Sequence, residues 1–169
     1  MSRPDLSTAP EWFHGYINAV KENDLTEALR NQTALFNTFF ESLPVEKREF
    51  SYAEGKWSIK EIIQHIIDGE RVFTYRALRF ARKDETPLPG FDENTYADNA
   101  KTDKRKWDDL IEEFNALRRS TEILFNSFDE DQLNATGIAS GNPVSVLAIG
   151  FIVAGHVNHH ISIIKARYL

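Results

Sequence analysis

The sequence predicts an all-α protein, a four-helix bundle with one or more long crossover connections. Four segments repeat apolar residues at helical spacing between recognisable start and stop signals, and no segment has a strand pattern of comparable strength. Long irregular stretches join some of these segments, which favours crossovers in place of short hairpin links. We expect a single domain over residues 1–169, with a short leading helix at about 10–20 and the bundle at about 24–169.

The first two long helices have clear boundaries. The first spans residues 24–43 and is ended by Pro44. Ser58 begins the second, because Ser58 and Glu61 form an S-x-x-E capping box directly before an isoleucine-rich stretch. We expect this second helix to run to about Arg82.

The last two long helices follow a loop of about twenty residues that reaches Asp103, a length that in compact domains often indicates a functional role. The third helix is predicted to begin near Asp103. The fourth is predicted to begin where Asn142 can act as the cap and Pro143 can occupy the first turn, and to end near Tyr168.

Composition excludes several kinds of chemistry and partner. A content of 41% hydrophobic and 27% charged residues is typical of folded domains. The formal charge of −6 leaves no basic surface for phosphates, so neither nucleic acid nor a membrane surface is expected as a partner. With no cysteine, a metal can be held only by His, Asp or Glu. A polar N-terminus, and an apolar run at 144–154 too short to span a bilayer, predict a cytoplasmic protein.

Three of the five histidines lie within five residues of the fourth helix, at His156, His159 and His160. His156 and His160 are four residues apart and therefore share one helix face, on the arc that is expected to contact the core. Two imidazoles at this spacing can bind one metal ion, which would also satisfy their buried nitrogens. Hydrogen bonds to backbone or carboxylate groups, or a dimer contact, are the alternative. His159 lies at the edge of the arc and is the weaker candidate.

A third ligand has to come from another helix, because two imidazoles leave most positions of the ion open. His65, two turns into the second helix, is the best candidate. Its arc lies away from the centre of that helix's apolar face, so spacing alone favours a solvent-facing histidine. His14 has no partner pattern and is assigned no role.

Two histidine motifs are more specific than their spacing alone. One is W-S-x-x-E-x-x-x-H over residues 57–65, followed by D-G-E-R at 68–71 and a segment at 75–82, and the other is the late H-x-x-x-H at 156–160. Together they resemble the DinB-like (YfiT-like) superfamily of small metal-binding bundles. The resemblance covers about residues 24–169 of the chain.

The resemblance implies a mononuclear site in which His65, His156 and His160 bind a divalent ion and leave positions for water or substrate. It implies either a metal-dependent thiol S-transferase or a hydrolase that acts on a small electrophilic substrate. A non-catalytic metal-binding or small-molecule-binding bundle, with a structural histidine site, is the alternative. Zn or Ni is the expected ion, with Fe, Co and Cu also compatible, and a low-molecular-weight thiol is a candidate second cofactor.

Two carboxylates of the second helix are candidates for a catalytic role. Asp68 shares a face with His65 and could orient its imidazole or accept a proton, and a surface position is an equal alternative. Glu70 falls within the apolar arc, where an unpaired carboxylate would be costly. A structural ion pair is favoured over a general base there, with an arginine such as Arg71, Arg79 or Arg167.

Two further groups of residues have predicted contacts. The acidic residues Asp92 and Glu93 in the long loop could cover the site or form salt bridges, and salt bridges are favoured, with Arg76 and Arg79. The resemblance also implies a homodimer. Its candidate contact is a set of aromatic residues that are expected to be exposed, Trp12, Phe13 and Tyr16.

Overall fold

A computed structural model of the protein describes residues 3–169 and shows four long helices. They are α2 (Leu25–Glu41), α3 (Ile59–Ala81), α5 (Trp107–Asn126) and α7 (Val146–Arg167). Three short helices are α1 (His14–Asn18), α4 (Glu93–Asn99) and α6 (Glu130–Asn134). Single 3-10 turns lie at Leu6–Thr8, Glu11–Phe13, Val45–Lys47 and Thr102–Lys104. The predicted all-α bundle is confirmed.

The long helices pack in a square. Helices α2 and α3 each pack against both α5 and α7, and α7 also packs against α1. Consecutive helices α2 and α3 therefore lie across the diagonal from each other, as do α5 and α7. The connections between them cross the bundle from corner to corner, which agrees with the predicted crossovers.

The starts of α2 and α3 agree with the prediction, and a side chain caps each of them. Ser58 Oγ accepts a hydrogen bond from Glu61 N at 3.2 Å, and Glu61 Oε2 accepts one from Ser58 N at 2.7 Å, so the predicted capping box is present. Asp24 caps α2 in the same way by accepting from Glu27 N. Such caps satisfy backbone N–H groups that the helix leaves unpaired.

The predicted start of the fourth helix is wrong. Asn142 and Pro143 lie in a strand, β2 (Asn142–Ser145), which pairs antiparallel with β1 (Thr136–Ala139). Between the strands, Ser140 and Gly141 have φ values of +53° and +79° and form the tight turn that a two-residue hairpin requires. Helix α7 begins after this hairpin, and Ser145 Oγ caps it by accepting from Ala148 N at 3.1 Å.

The start of the third helix and the form of the leading helix also differ from prediction. Helix α5 begins at Trp107, because Lys101 has a left-handed φ of +51° and the residues after it form only a single 3-10 turn. The long loop contains α4. The leading helix is divided into a 3-10 turn at Glu11–Phe13 and the five-residue α1.

Helix α7 is the central helix of the bundle. Within the described residues it alone is long and apolar enough to cross a membrane by length and composition, and 72% of its most apolar stretch is buried inside the protein. That burial is typical of a core helix of a globular protein. A central apolar helix provides a dry environment for its two inward histidines.

A buried ion pair joins α3 to α5. Arg118, which is fully buried, donates to both oxygens of Glu70 at 2.8–3.1 Å, and its Nη1 donates to Gln32 of α2. Glu70 therefore has an arginine partner, as its position in the apolar arc requires. The partner is Arg118 of α5, so none of the three predicted partners is correct, and two of them pair elsewhere, Arg71 with Glu113 and Arg79 with Asp84.

Candidate metal centre

Helices α3 and α7 bring three histidines together. The Nε2 atom of His156 lies 2.9 Å from Nε2 of His65 and 3.0 Å from Nε2 of His160. One nitrogen from each ring lies within 4.8 Å of the others, so the three residues could hold a metal ion. His65 is 91 residues from His156 along the chain, yet its ring lies against the pair and is partly buried.

The donor set fits a single ion. For metal–nitrogen bonds of about 2.1 Å, two ligand nitrogens lie about 3.0 Å apart at a right angle and about 3.4 Å apart at a tetrahedral angle. The two spacings from His156 Nε2 match adjacent ligand positions, and all three nitrogens lie within 4.8 Å of one another. A neutral imidazole nitrogen offers either one proton or one lone pair, so hydrogen bonds alone cannot satisfy both contacts of His156 Nε2. A shared cation would satisfy all three nitrogens.

Burial keeps the three rings neutral. It lowers the pKa of His65 to about 4, an effect that the nearby Glu93 carboxylate partly opposes. Burial, with the neighbouring histidines, lowers the pKa of His160 to about 3 and that of His156 well below its usual range. Neutral imidazoles carry the lone pairs that metal ligation needs.

Aromatic rings hold the histidines in place. Trp57 lies 4.8 Å from the ring of His65, measured between ring centroids, and Tyr16 of α1 lies 5.4 Å from that of His156. Burial and the charge of Glu93 raise the pKa of Tyr16, so its hydroxyl is protonated at neutral pH. The ring orientations are thus fixed by packing from segments on both sides of the site.

Gly69 leaves room for His156. A methyl group at Gly69 would lie 3.1 Å from Cε1 of the His156 ring, so the ring would have to move by a few tenths of an ångström. We expect Gly69→Ala to weaken metal binding measurably, while the metal-free protein changes in stability by no more than about 1 kcal/mol, the helix-propensity difference between the two residues. Competition with a chromophoric chelator measures the affinity, and thermal unfolding measures the stability.

Gly15→Ala is the matched control for that substitution. Gly15 is also helical, and a methyl group there meets no atom within 4 Å. It should leave metal affinity unchanged. Equal affinities in Gly69→Ala and the wild-type protein would show that the His156 ring has more freedom than its packing indicates.

A cavity of about 430 Å³ opens beside the three histidines. Its walls are mainly aromatic and come from the leading segment, α3 with the residues just before it, and the long loop. The aromatic residues are Trp12, Phe13, Tyr16, Trp57, Phe73 and Phe91. Its polar lining groups besides the histidines are Arg76, Glu93 and Ser140. A concave space lined by aromatic rings and a few polar groups is typical of small-molecule sites.

The leading aromatics are placed differently from the prediction. Trp12 is exposed, as predicted, with 58% of its surface accessible. Phe13 and Tyr16 are only partly exposed, because Phe13 packs edge-on against Phe73 and Tyr16 packs on His156. These two residues form part of the cavity wall, and a dimer contact through them stays a prediction.

The two catalytic candidates lie outside this cavity lining. Asp68 is partly buried and accepts a hydrogen bond from Gln64 at 3.0 Å, and burial raises its pKa. Both oxygens of Glu70 are engaged by Arg118. The carboxylate that does line the cavity is Glu93. The loop therefore covers the site, which was one of its two predicted roles.

The predicted salt bridges of the long loop are wrong. Asp92 caps α4 by accepting from Thr95 N at 2.7 Å, and Arg79 pairs with Asp84. Arg76 instead donates to the carbonyl of Pro89 at 2.9 Å and to Ser140 Oγ at 3.2 Å.

The two remaining histidines lie outside the three-nitrogen cluster. The ring of His159 packs 5.0 Å from that of Tyr16, and burial lowers its pKa. His14 Nε2 lies within hydrogen-bond distance of the carbonyl oxygens of Leu6 and Ala9. His14 thus has a local structural contact that its sequence neighbourhood did not indicate.

Sequence reasoning missed most of the cavity wall. Gly69, Phe73 and Arg76 follow His65 at intervals of four, eight and eleven residues, which a helical projection places near one face. Their position on the same side of the helix as His65 could therefore have been predicted. Ser140 reaches the cavity from the hairpin turn, and no local pattern connects it with α3.

Two known proteins resemble this chain in sequence or in fold. A protein of Oceanobacillus iheyensis named "Putative metal-dependent hydrolase" is 29% identical over 126 residues, which are 73% of this chain and 72% of that protein. YfiT from Bacillus subtilis, described as "a probable metal-dependent hydrolase with an unusual four-helix bundle topology", shares the fold with a TM-score of 0.71 and 16% identity. That match covers 96% of this chain and 89% of YfiT. The DinB superfamily model matches residues 28–164, which include all three histidines, and the chain therefore belongs to the DinB superfamily.

Proposed function

We propose that the protein is a mononuclear metal-dependent enzyme that acts on a small electrophilic substrate by hydrolysis or by transfer of a thiol. One observation carries the proposal: three neutral imidazole nitrogens converge beside a cavity of about 430 Å³. Three nitrogen ligands leave coordination positions open, which a catalytic site needs and a closed structural site lacks. The names of the Oceanobacillus and Bacillus proteins support the hydrolytic form.

Each group at the site has a distinct task in this proposal. His65, His156 and His160 hold the ion, and a divalent ion supplies Lewis-acid chemistry and lowers the pKa of a water molecule or thiol. The aromatic walls exclude bulk water, which strengthens the electrostatic interactions inside. Glu93 is assigned the role of proton acceptor, because it is the carboxylate among the lining residues and lies near enough to His65 to affect its pKa.

The direct test begins with elemental analysis of protein purified without added metal. We propose Zn or Ni, because imidazole ligands suit both. The loaded protein is then assayed with activated esters for hydrolysis, and with low-molecular-weight thiols plus an alkyl halide for transfer. Activity that chelation removes and the same ion restores supports the proposal. If neither reaction depends on the ion, the enzyme proposal fails.

Chelation should remove the ion without unfolding the bundle. Two hydrophobic clusters fill the core, one built around the first half of α7 with residues of α2 and α3, and one formed by α2, α3, α5 and the second half of α7, so we expect the fold not to depend on the ion. We expect the metal-free protein to unfold cooperatively on heating. Its free energy of unfolding should be lower only by the contribution of metal binding, which is about 2.7 kcal/mol at a metal concentration of 100 Kd. Circular dichroism with and without chelator measures this.

The alternative function predicts a different result in that experiment. A non-catalytic bundle whose histidines serve as a structural staple would lose its folded structure on chelation, since structural metal binding is folding free energy. A metal-free protein without a cooperative transition would therefore support the alternative.

Assembly and location complete the proposal. We propose that the protein is a cytoplasmic homodimer and that it binds a small-molecule substrate. Neither nucleic acid nor a membrane is proposed as a partner, in line with the formal charge of −6. Light scattering after size exclusion measures the oligomeric state, and a monomer at micromolar concentration would contradict the dimer.

A further inference from the structure

Arg76 is a buried cation without a carboxylate partner. Only 5% of its surface is exposed, and no Asp or Glu among residues 3–169 lies within ion-pair distance of it. Its two hydrogen bonds, to the Pro89 carbonyl and to Ser140 Oγ, both come from Nη2. A guanidinium has five N–H groups, so the three on Nε and Nη1 have no protein partner in the described chain, and these two nitrogens are not fully enclosed by protein.

Burial makes this arrangement costly. A buried charge is normally paired, because removal from water is otherwise uncompensated. Burial lowers the pKa of Arg76, yet a guanidinium stays protonated in proteins, so the side chain cannot escape the cost by losing its charge. The rings of Phe73 and Phe91, with centroids 5.9 Å and 6.0 Å from the guanidinium carbon, give only weak cation–π compensation.

The guanidinium belongs to the same cavity as the histidines. Arg76 lies eleven residues after His65 on α3, about three turns or roughly 16 Å along the helix axis. Side chains on a helix point toward its N-terminus, which directs Arg76 back toward His65. Arg76 is the one arginine or lysine among the described residues that line this cavity.

We propose that Arg76 binds an anionic group of the substrate, a carboxylate or a phosphate, and that the enzyme therefore selects small anions with an apolar or aromatic body. The planar guanidinium offers parallel N–H donors to two oxygens of such a group. Phe73 and Phe91 contact the apolar part, and the reacting group lies at the histidine end. The position of the reacting group at the histidines rests on the proposed function, whereas the anion site at Arg76 does not.

The test compares benzoate with benzamide, two probes of the same shape that differ in charge. It uses metal-free protein, so that neither probe can bind a metal ion, and it reads intrinsic fluorescence, because Trp12 and Trp57 line the cavity. We expect wild-type protein to bind benzoate about tenfold or more tightly than benzamide, as a charge-assisted hydrogen bond implies. Phenyl phosphate in the same assay shows which anion is preferred. Equal binding of benzoate and benzamide by wild-type protein would overturn the proposal without any variant.

Variants then assign the preference to Arg76. Arg76→Gln removes the charge and keeps a donor for the Pro89 carbonyl, and it should reduce the benzoate preference to about twofold or less. Arg76→Lys keeps the charge and should retain part of the preference. Arg79→Met is the matched control, one turn away and paired with Asp84, and should leave the preference unchanged.

A purely structural role for Arg76 predicts another pattern. Arg76 would then only tie the long loop to the hairpin, and Arg76→Gln would lower thermal stability while the ratio of benzoate to benzamide affinity stayed as in wild-type protein. That result would overturn the proposal. Loss of enzymatic activity in the separate metal assays would leave this ratio unaffected, so the two proposals fail independently.

Discussion

Replacing His65 by alanine is expected to abolish stoichiometric binding of a divalent ion. The substitution removes one of three nitrogens that converge on one point and leaves only the pair on α7. Loss of an outer-shell partner typically lowers metal affinity by about 10–100-fold, and loss of a direct ligand should cost more. Elemental analysis after dialysis, together with competition titration against a chelator, measures the change. His156→Ala and His160→Ala should behave alike.

His159→Ala is the matched control for this series. His159 lies on the same helix and beside His160, with a centroid distance of 5.2 Å, but it contributes no nitrogen to the cluster. It should retain one ion per chain. Retention of the ion by His65→Ala would instead disprove the three-ligand assignment and return His65 to a packing role.

Substituting Arg118 by leucine is expected to destabilise the protein by about 3–5 kcal/mol, because the buried Glu70 carboxylate would lose its charge partner. Arg118 is 0% exposed and Glu70 is 3% exposed, so water cannot replace the lost hydrogen bonds. Urea unfolding monitored by circular dichroism measures the free energy of unfolding.

The double variant distinguishes the loss of the whole ion pair from the loss of one partner. Arg118→Leu with Glu70→Leu removes both charges, and replacement of a buried pair by apolar residues is often neutral or stabilising. It should therefore be more stable than Arg118→Leu alone. Arg119→Leu is the control, since Arg119 is the next residue, 68% exposed, and should change stability by less than about 1 kcal/mol. A loss below 1 kcal/mol in Arg118→Leu would contradict the expected effect.

Local signals in the sequence predicted the helices and the paired histidines of α7. The capping box at Ser58 and the spacing of His156 and His160 depend only on neighbours within four residues, and both are present in the structure. His65 needed the family resemblance, because its helix face alone favoured solvent. Its role as a metal ligand stays a prediction, although the structure brings it to the pair.

Contacts between distant segments could not be predicted from spacing. The partner of Glu70, Arg118, is 48 residues away on α5, whereas Arg71, Arg79 and Arg167 were predicted. The start of α7 was wrong for a local reason, because Ser140 and Gly141 favour a hairpin turn that competes with the Asn142–Pro143 start signal. That Arg76 has no carboxylate partner among the described residues can be recognised only from the three-dimensional positions of the Asp and Glu side chains.

The central position of α7 has a consequence for synthesis. This helix packs against α1, α2 and α3, yet it follows all of them in the chain. During translation the earlier helices emerge without the element that fills the centre of the bundle, and contacts at large sequence separation form slowly. Two of the three nitrogens arrive with α7, so a nascent chain that ends before residue 146 can neither close its core nor complete the site.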